Sequence, residues 1–259
     1  MFIKVNIKFS MNIKTLVNYT IGPLGSGVIG VITLPLITWF YTADDIGRIT
    51  MIQVYSNFII SFFSLGLDQA YIRSYYITEN KTRLFKNVIF PSIFIYIAFF
   101  ILIIVANYNY IAKNLLGLEG FFVNFLIFFA GFFSLCIRFF SLIMRMEEKS
   151  LNFSISQIMT KISLLILIIV GVIFGFNNYN ISLLALYVFS LFIGLIYSFY
   201  MSRKYILYSF SEEFSFIEFK SLLKYGAPLA IGVVSFWALS SIDRIIIKKF
   251  LTLEDYQWQ

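Results

Sequence analysis

Uncharged residues in this chain come in long blocks, and the blocks set its elements. No Asp, Glu, Lys or Arg occurs in 15–43, 49–67, 87–112, 120–137, 162–202 or 225–242. An α-helix rises about 1.5 Å per residue and the hydrocarbon core of a bilayer is about 30 Å thick, so one span needs about 20 mostly apolar residues. Five of the blocks suit one helix each. The block 162–202 is about twice too long, and it divides at Asn177-Asn178-Tyr179-Asn180, residues that favour turns over helix interiors. The expected spans are therefore 16–41, 49–69, 88–106, 121–144, 155–176, 182–201 and 226–247. Stretches such as 163–176 show no alternation of polarity, so they read as helices and not as the strands of a closed barrel. The expected fold class is all-α, a polytopic helical membrane protein.

Composition agrees. The chain has 259 residues, 60% hydrophobic, 20% aromatic and 13% charged, with a mean hydropathy of +0.86. A soluble domain carries about 25% charged residues. At half that, the chain cannot cover a water-facing surface, which excludes a soluble enzyme, a nucleic-acid-binding domain, a disordered tail and a coiled coil. The single Cys136 and the absence of His leave no intramolecular disulfide, no Cys-based zinc site and no imidazole chemistry. No cofactor or metal is expected; the bilayer itself is the first partner.

The net charge of +7 would suggest nucleic acid in a soluble protein, so its placement decides. The N-terminal arm (Lys4, Lys8, Lys14) and the second, fourth and sixth connections carry fourteen basic residues. The first, third and fifth connections carry only Arg48 and Lys113. That asymmetry places the N-terminus in the cytoplasm. Arg244, Lys248 and Lys249 then fall at the outer end of the seventh helix, against the rule. The opening MFIKVNIKFS lacks a cleavable signal pattern, and Met11 is an alternative start.

Two openings resemble each other. Tyr19-Thr20-Ile21-Gly22-Pro23-Leu24 begins the first span and Tyr225-Gly226-Ala227-Pro228-Leu229 the seventh, with the acidic pairs Asp44-Asp45 and Glu254-Asp255 downstream. Six spans lie between them, and an even number returns the chain to the same side, as in a parallel repeat. On this reading 1–201 is one six-helix transporter bundle, 202–224 a cytoplasmic linker, and 225–259 the first helix of a second, truncated bundle.

Charged side chains within spans carry the candidate chemistry, because each costs about 2.5–3.5 kcal/mol on insertion scales and normally faces a cavity or a partner. The run 162–176 is too short to cross, so the fifth helix must begin near Ile155 and carry Lys161 inside it, on one face with Ser154 and Gln157. Lys161 either lines a cavity or snorkels to the headgroups. Arg138 lies about 10 Å deeper than Arg145 on the fourth helix, in a polar stripe of Ser134, Arg138, Ser141 and Arg145. Asp68 and Arg73 flank the end of the second helix, either as an interfacial pair or as functional charges. Asp243 finds no opposite charge three or four residues away and needs an interhelical partner or a proton. Asp44 and Asp45 solvate the outer turn. Gly22, Gly25, Gly27 and Gly30 crowd the first helix beside Pro23 and Pro35, and Gly171 and Gly175 form a small-xxx-small pair; these serve close packing or hinges.

TLPLITWFYTADDIGR at 33–48, SLGLDQAYIRSYY at 64–76, and KYGAPLAIG followed by SSIDRIIIKKFLTLEDY at 224–256 resemble the polysaccharide flippases. These are the O-antigen and lipid-linked oligosaccharide translocases of the multidrug/oligosaccharidyl-lipid/polysaccharide exporter superfamily, which hold about twice as many helices in two bundles around a central cavity. The resemblance implies a bacterial inner-membrane protein of lipopolysaccharide or O-antigen biosynthesis. Its substrate would be an oligosaccharide on polyprenyl pyrophosphate, and its partners a polysaccharide polymerase and chain-length proteins. It would not be an enzyme. Arg138, Lys161, Arg145 and Arg73 then become anion contacts, with Asp68 or Asp243 as ion-coupling carboxylates. Two other readings stay open: a drug/cation antiporter of the same fold, which predicts an acidic cavity, and a membrane-embedded glycosyltransferase or polymerase using Asp44 and Asp45. A truncated, inactive remnant is the last.

Overall fold

The structure, a computed structural model, describes residues 13–175 and 181–254. The expected turn at 177–180, the start at Met1 or Met11 and the residue Asp255 lie outside the described residues. Among the described residues the elements are α1 (Ile13–Phe40), α2 (Ala43–Phe63), α3 (Leu67–Ser74), α4 (Lys81–Ala106), α5 (Tyr110–Leu116), α6 (Phe121–Met146), α7 (Ser150–Ile173), α8 (Ser182–Ser211) and α9 (Phe216–Glu254). Six of them are long and apolar enough to cross a bilayer singly, and α2 with α3 passes the same test as one bent pair. The chain is an all-α, multi-pass membrane protein.

Four boundaries differ from the sequence reading. The second span is not one helix: α2 and α3 meet at 54° across Ser64-Leu65-Gly66. The fifth begins at Ser150 instead of 155, since its polar first turns have partners on α1: Asn18 donates to Ser150 Oγ at 3.3 Å and Ser154 Oγ donates to the Asn18 carbonyl. The connection expected at 203–224 is mostly helix, because α8 runs to Ser211 and α9 starts at Phe216. The short α5, closed by a left-handed Gly117, was not foreseen.

Helix α6 is the axis of the bundle. It is the most buried of the spans and packs against α2, α4, α7 and α8. Around it lie two apolar clusters stacked along the bundle. One joins Ile37, Ile52, Ile127 and Leu184; the other joins Phe63, Tyr71, Phe85, Phe139 and Ile143. Tyr55, Phe128, Phe132 and Leu195 touch both. Helices α1 and α9 are peripheral. The first lies along α7, and the second against α2, α3 and α4.

Side-chain contacts gather the start of α1, the latter part of α3, the starts of α4, α7 and α9, and the ends of α6 and α8 at one end of the molecule. Tyr19 donates to the Arg145 carbonyl at 3.2 Å, Asn80 to Glu212 at 3.0 Å and Asn87 to Glu218 at 2.6 Å, and Arg83 pairs with Glu218 at 3.3 Å. Most of the connection lysines and arginines sit here, at the basic end of the bundle.

Candidate functional site

Between α2, α6, α7 and α8 lies a cavity of about 270 Å³. Helical spacing explains its polar wall: Ser134, Arg138 and Ser141 recur at steps of four and three on α6 and share one face. Ser56 and Asn57 of α2, Thr160 and Lys161 of α7 and Tyr187 and Ser190 of α8 complete it, with no carboxylate among the lining residues. Lys161 lies eleven residues after the start of α7, about 16 Å along it and near its middle. The sequence reading, which began this helix at 155, put Lys161 nearer the end.

The hydroxyls of the wall are used locally. Ser141 donates to the Arg138 carbonyl at 2.8 Å, Thr160 to Gln157 at 3.0 Å and Ser190 to Tyr187 at 2.7 Å. These hydroxyl protons are thus committed to their own helices, a common way for Ser and Thr to be satisfied in apolar surroundings. The charged donors left to a ligand are the Arg138 guanidinium and the Lys161 ammonium. Lys161 makes no ion pair among the described residues.

Arg138 is held from behind. Its Nη2 lies 2.8 Å from Oδ2 of Asp68, which is only 4% exposed and also accepts from Gln69 at 3.3 Å. The contact is single, not the two-pronged fork that guanidinium and carboxylate can form. Asp68 Oδ1 and Arg138 Nε are both buried without a hydrogen-bond partner. Of the two readings of Asp68, the interfacial pair with Arg73 is not formed: its cation is Arg138. Nothing local in the sequence announces a partner seventy residues away; only the rule that a buried charge needs one could have prompted the search.

The elbow between α2 and α3 places Asp68. Leu65 and Gly66 both have left-handed backbones, at φ 53° and 68°. Gly66 must be glycine for a second reason: a Cβ there would run into the carbonyl oxygen of Gly226 on α9. A Cβ on Gly226 would in turn lie 2.7 Å from the Gly66 oxygen. The Gly226 of the sequence's second opening is thus used to seat α9 on the elbow. Asp68 follows in the first turn of α3.

The remaining expected site residues lie elsewhere. Arg145 is exposed at the end of α6, where Tyr19 of α1 donates to its carbonyl, and it does not line the cavity. Arg73 is exposed on α3 with its guanidinium 4.1 Å over the Tyr225 ring, five residues and about 140° round the helix from Asp68. Asp243 is exposed on α9. Ser154 and Gln157 lie against Gly22 of α1 and are not among the residues lining the cavity with Lys161. Gly22, Gly25 and Gly171 stand where a Cβ would press on α7 or α8 atoms, but Gly27 and Gly30 face open space and Gly175, at φ 71°, lies in the turn after α7. Pro23 and Pro35 pass through a continuous α1. Asp45 is buried, not solvated: it exchanges hydrogen bonds with Thr42 at the start of α2 and holds Arg48 at 3.2 Å.

Fold and site together define a helical, multi-pass membrane protein with a cation-lined cavity inside the bundle. The family described as polysaccharide biosynthesis protein matches residues 14–256, nearly the whole chain, and the chain belongs to that family. Its role lies in polysaccharide biosynthesis and export. No curated protein and no solved structure matched the chain.

Proposed function

We propose that the chain translocates lipid-linked oligosaccharides across the bacterial cytoplasmic membrane by alternating access, with its N-terminus in the cytoplasm. One observation carries this: Arg138 and Lys161 converge on a single cavity whose lining has no carboxylate. Two cations with one carboxylate behind them, amid apolar helices, call for an anionic guest. Guanidinium grips phosphate oxygens through fixed N–H directions, and ammonium adds a compact charge. A pyrophosphate meets both, while its polyprenyl tail stays in lipid. The cavity is just below the roughly 300–1,000 Å³ of ordinary ligand sites. It suits the charged head and not the sugars, so passage requires the bundle to open. The ligand drives that change only as far as its affinity differs between the two states.

A drug/cation antiporter would need carboxylates in the cavity, and the lining offers cations. A glycosyltransferase or polymerase built on Asp44 and Asp45 loses Asp45 to the start of α2 and to Arg48. The test is polysaccharide export in cells carrying Arg138→Ala or Lys161→Ala. Each should reduce export at least tenfold with membrane insertion unchanged, the loss expected when a charge-assisted contact is removed. Normal export from both variants would end the proposal.

A further inference from the structure

A second cleft, sharing no residue with the cavity, opens at the basic end between the turn joining α6 to α7 and the outer part of α8. Its volume is about 380 Å³, and Glu147, Lys149, Tyr200, Arg203, Lys204 and Tyr205 line it. Three cations face one carboxylate there. Glu147 is already taken by Lys149 at 2.7 Å, which leaves Arg203 and Lys204 in excess. Arg203 is not a loose surface arginine: its guanidinium stacks on the Tyr200 ring at 4.4 Å, which fixes its plane and leaves its N–H edges open. Tyr205 is fixed too, donating to the Lys81 carbonyl at 2.7 Å.

What lies beside the cleft along α8 identifies the guest. Phe192, Ile196 and Phe199 are exposed and recur at steps of four and three, and four residues further on comes Arg203. One face of α8 therefore runs as an apolar stripe from the middle of the bundle to the basic end and stops at a cationic cleft. That is the outline of a lipid with a charged head. A free anion would use the cleft and have no use for the stripe. We propose that this cleft binds the phosphate headgroup of an anionic phospholipid, with an acyl chain along Phe199, Ile196 and Phe192. Basic pockets between spanning helices are suited to such heads, each Lys or Arg near the surface adding to the attraction. The site is independent of the transport reading, because it rests on α8 and the α6–α7 turn alone.

The test uses the purified full chain in uncharged detergent at low salt. It is titrated in separate arms with short-chain phosphatidylglycerol, short-chain phosphatidylcholine and inorganic phosphate, with binding read by calorimetry. Phosphatidylglycerol should bind at least tenfold tighter than phosphatidylcholine and a hundredfold tighter than phosphate. The double variant Arg203→Gln, Lys204→Gln should weaken phosphatidylglycerol about thirtyfold. Arg203→Lys, which keeps the charge and loses the planar stacking, should weaken it only about threefold and controls for folding. Equal affinity for the two lipids, or no loss in the double variant, overturns the proposal. Phosphate binding as tightly as the anionic lipid overturns the lipid assignment and leaves a free-anion site.

Discussion

The interior and the ends of this molecule use the same charged residues under different physical rules. Inside, Asp68 and Arg138 come from helices seventy residues apart and meet at 2.8 Å, with the carboxylate shut off from solvent and the guanidinium part-exposed. At the ends, Arg83–Glu218, Lys149–Glu147 and Lys113–Glu119 are part-exposed pairs at 3.3, 2.7 and 3.0 Å. Distance hardly separates the two sets. Environment does: unit charges 4 Å apart attract by about 1 kcal/mol in water and about 4 kcal/mol at an effective dielectric of 20. End charges set topology and solubility and are individually replaceable. Interior charges are tolerated only where a partner or a ligand compensates them.

The contrast is sharpest at Asp68. Asp68→Asn keeps the shape and leaves Arg138 as a cation without its carboxylate. Stranding a buried charge costs about 3–5 kcal/mol; the Arg138 side chain is 39% exposed, so the cost falls below that range. The expected loss is about 2 kcal/mol, measured by unfolding the purified protein in mixed micelles of rising denaturing-detergent fraction. Since Asp68 also aims the guanidinium, export should fall while Lys161 stays in place. A variant as stable as the parent would mean that the interior pair is no different from those at the ends.

This pair also marks where sequence reasoning ran out. The spans were legible because bilayer thickness and helix rise leave few choices for an uncharged block, and Arg138 and Lys161 stood out as charges that lipid will not hold. Partner choice was not legible. Arg73 is the cation nearest to Asp68 in sequence, but five residues along one helix turn it about 140° away. Two left-handed residues at 65 and 66 bend the chain, swing Arg73 onto Tyr225 and present Asp68 to α6. A glycine at 66 hints at a bend, but the reason for it, the backbone of Gly226 lying against it, is a contact across 160 residues. The stripe through Arg138 failed at Arg145 for a related reason. Helical periodicity gives the face of a residue and not the depth at which other helices close over that face.

Lys161 carries the comparison with the opposite sign. It is a cation near the middle of α7 with no ion pair among the described residues, so the fold gains nothing from its charge. Lys161→Met keeps the length of the stem and removes the cost of placing an ammonium inside the bundle, about 2.5–3.5 kcal/mol in full lipid and less beside a cavity. The variant should be about 1–2 kcal/mol more stable in the same unfolding assay, and export should fall at least tenfold. Stability gained as transport is lost is the signature of a residue kept for its ligand. A variant that loses both stability and export would instead show Lys161 to be a structural member of the bundle.

The smallest effect is expected at the most exposed of the end pairs. Lys113 and Glu119 meet at 3.0 Å, nearly the separation of Arg138 and Asp68, but their side chains are 69% and 56% exposed. Water screens the attraction, and holding two long side chains in one geometry offsets much of what remains. The fold near them does not depend on the pair, since α5 is closed by Gly117, whose amide donates to the Lys113 carbonyl at 3.0 Å whatever the side chain does. Glu119→Gln should therefore change stability by less than about 0.5 kcal/mol and leave export at the parental level. A loss approaching that of Asp68→Asn would show that separation, and not burial, sets the worth of a charge pair here, and the distinction between the interior and the ends would collapse.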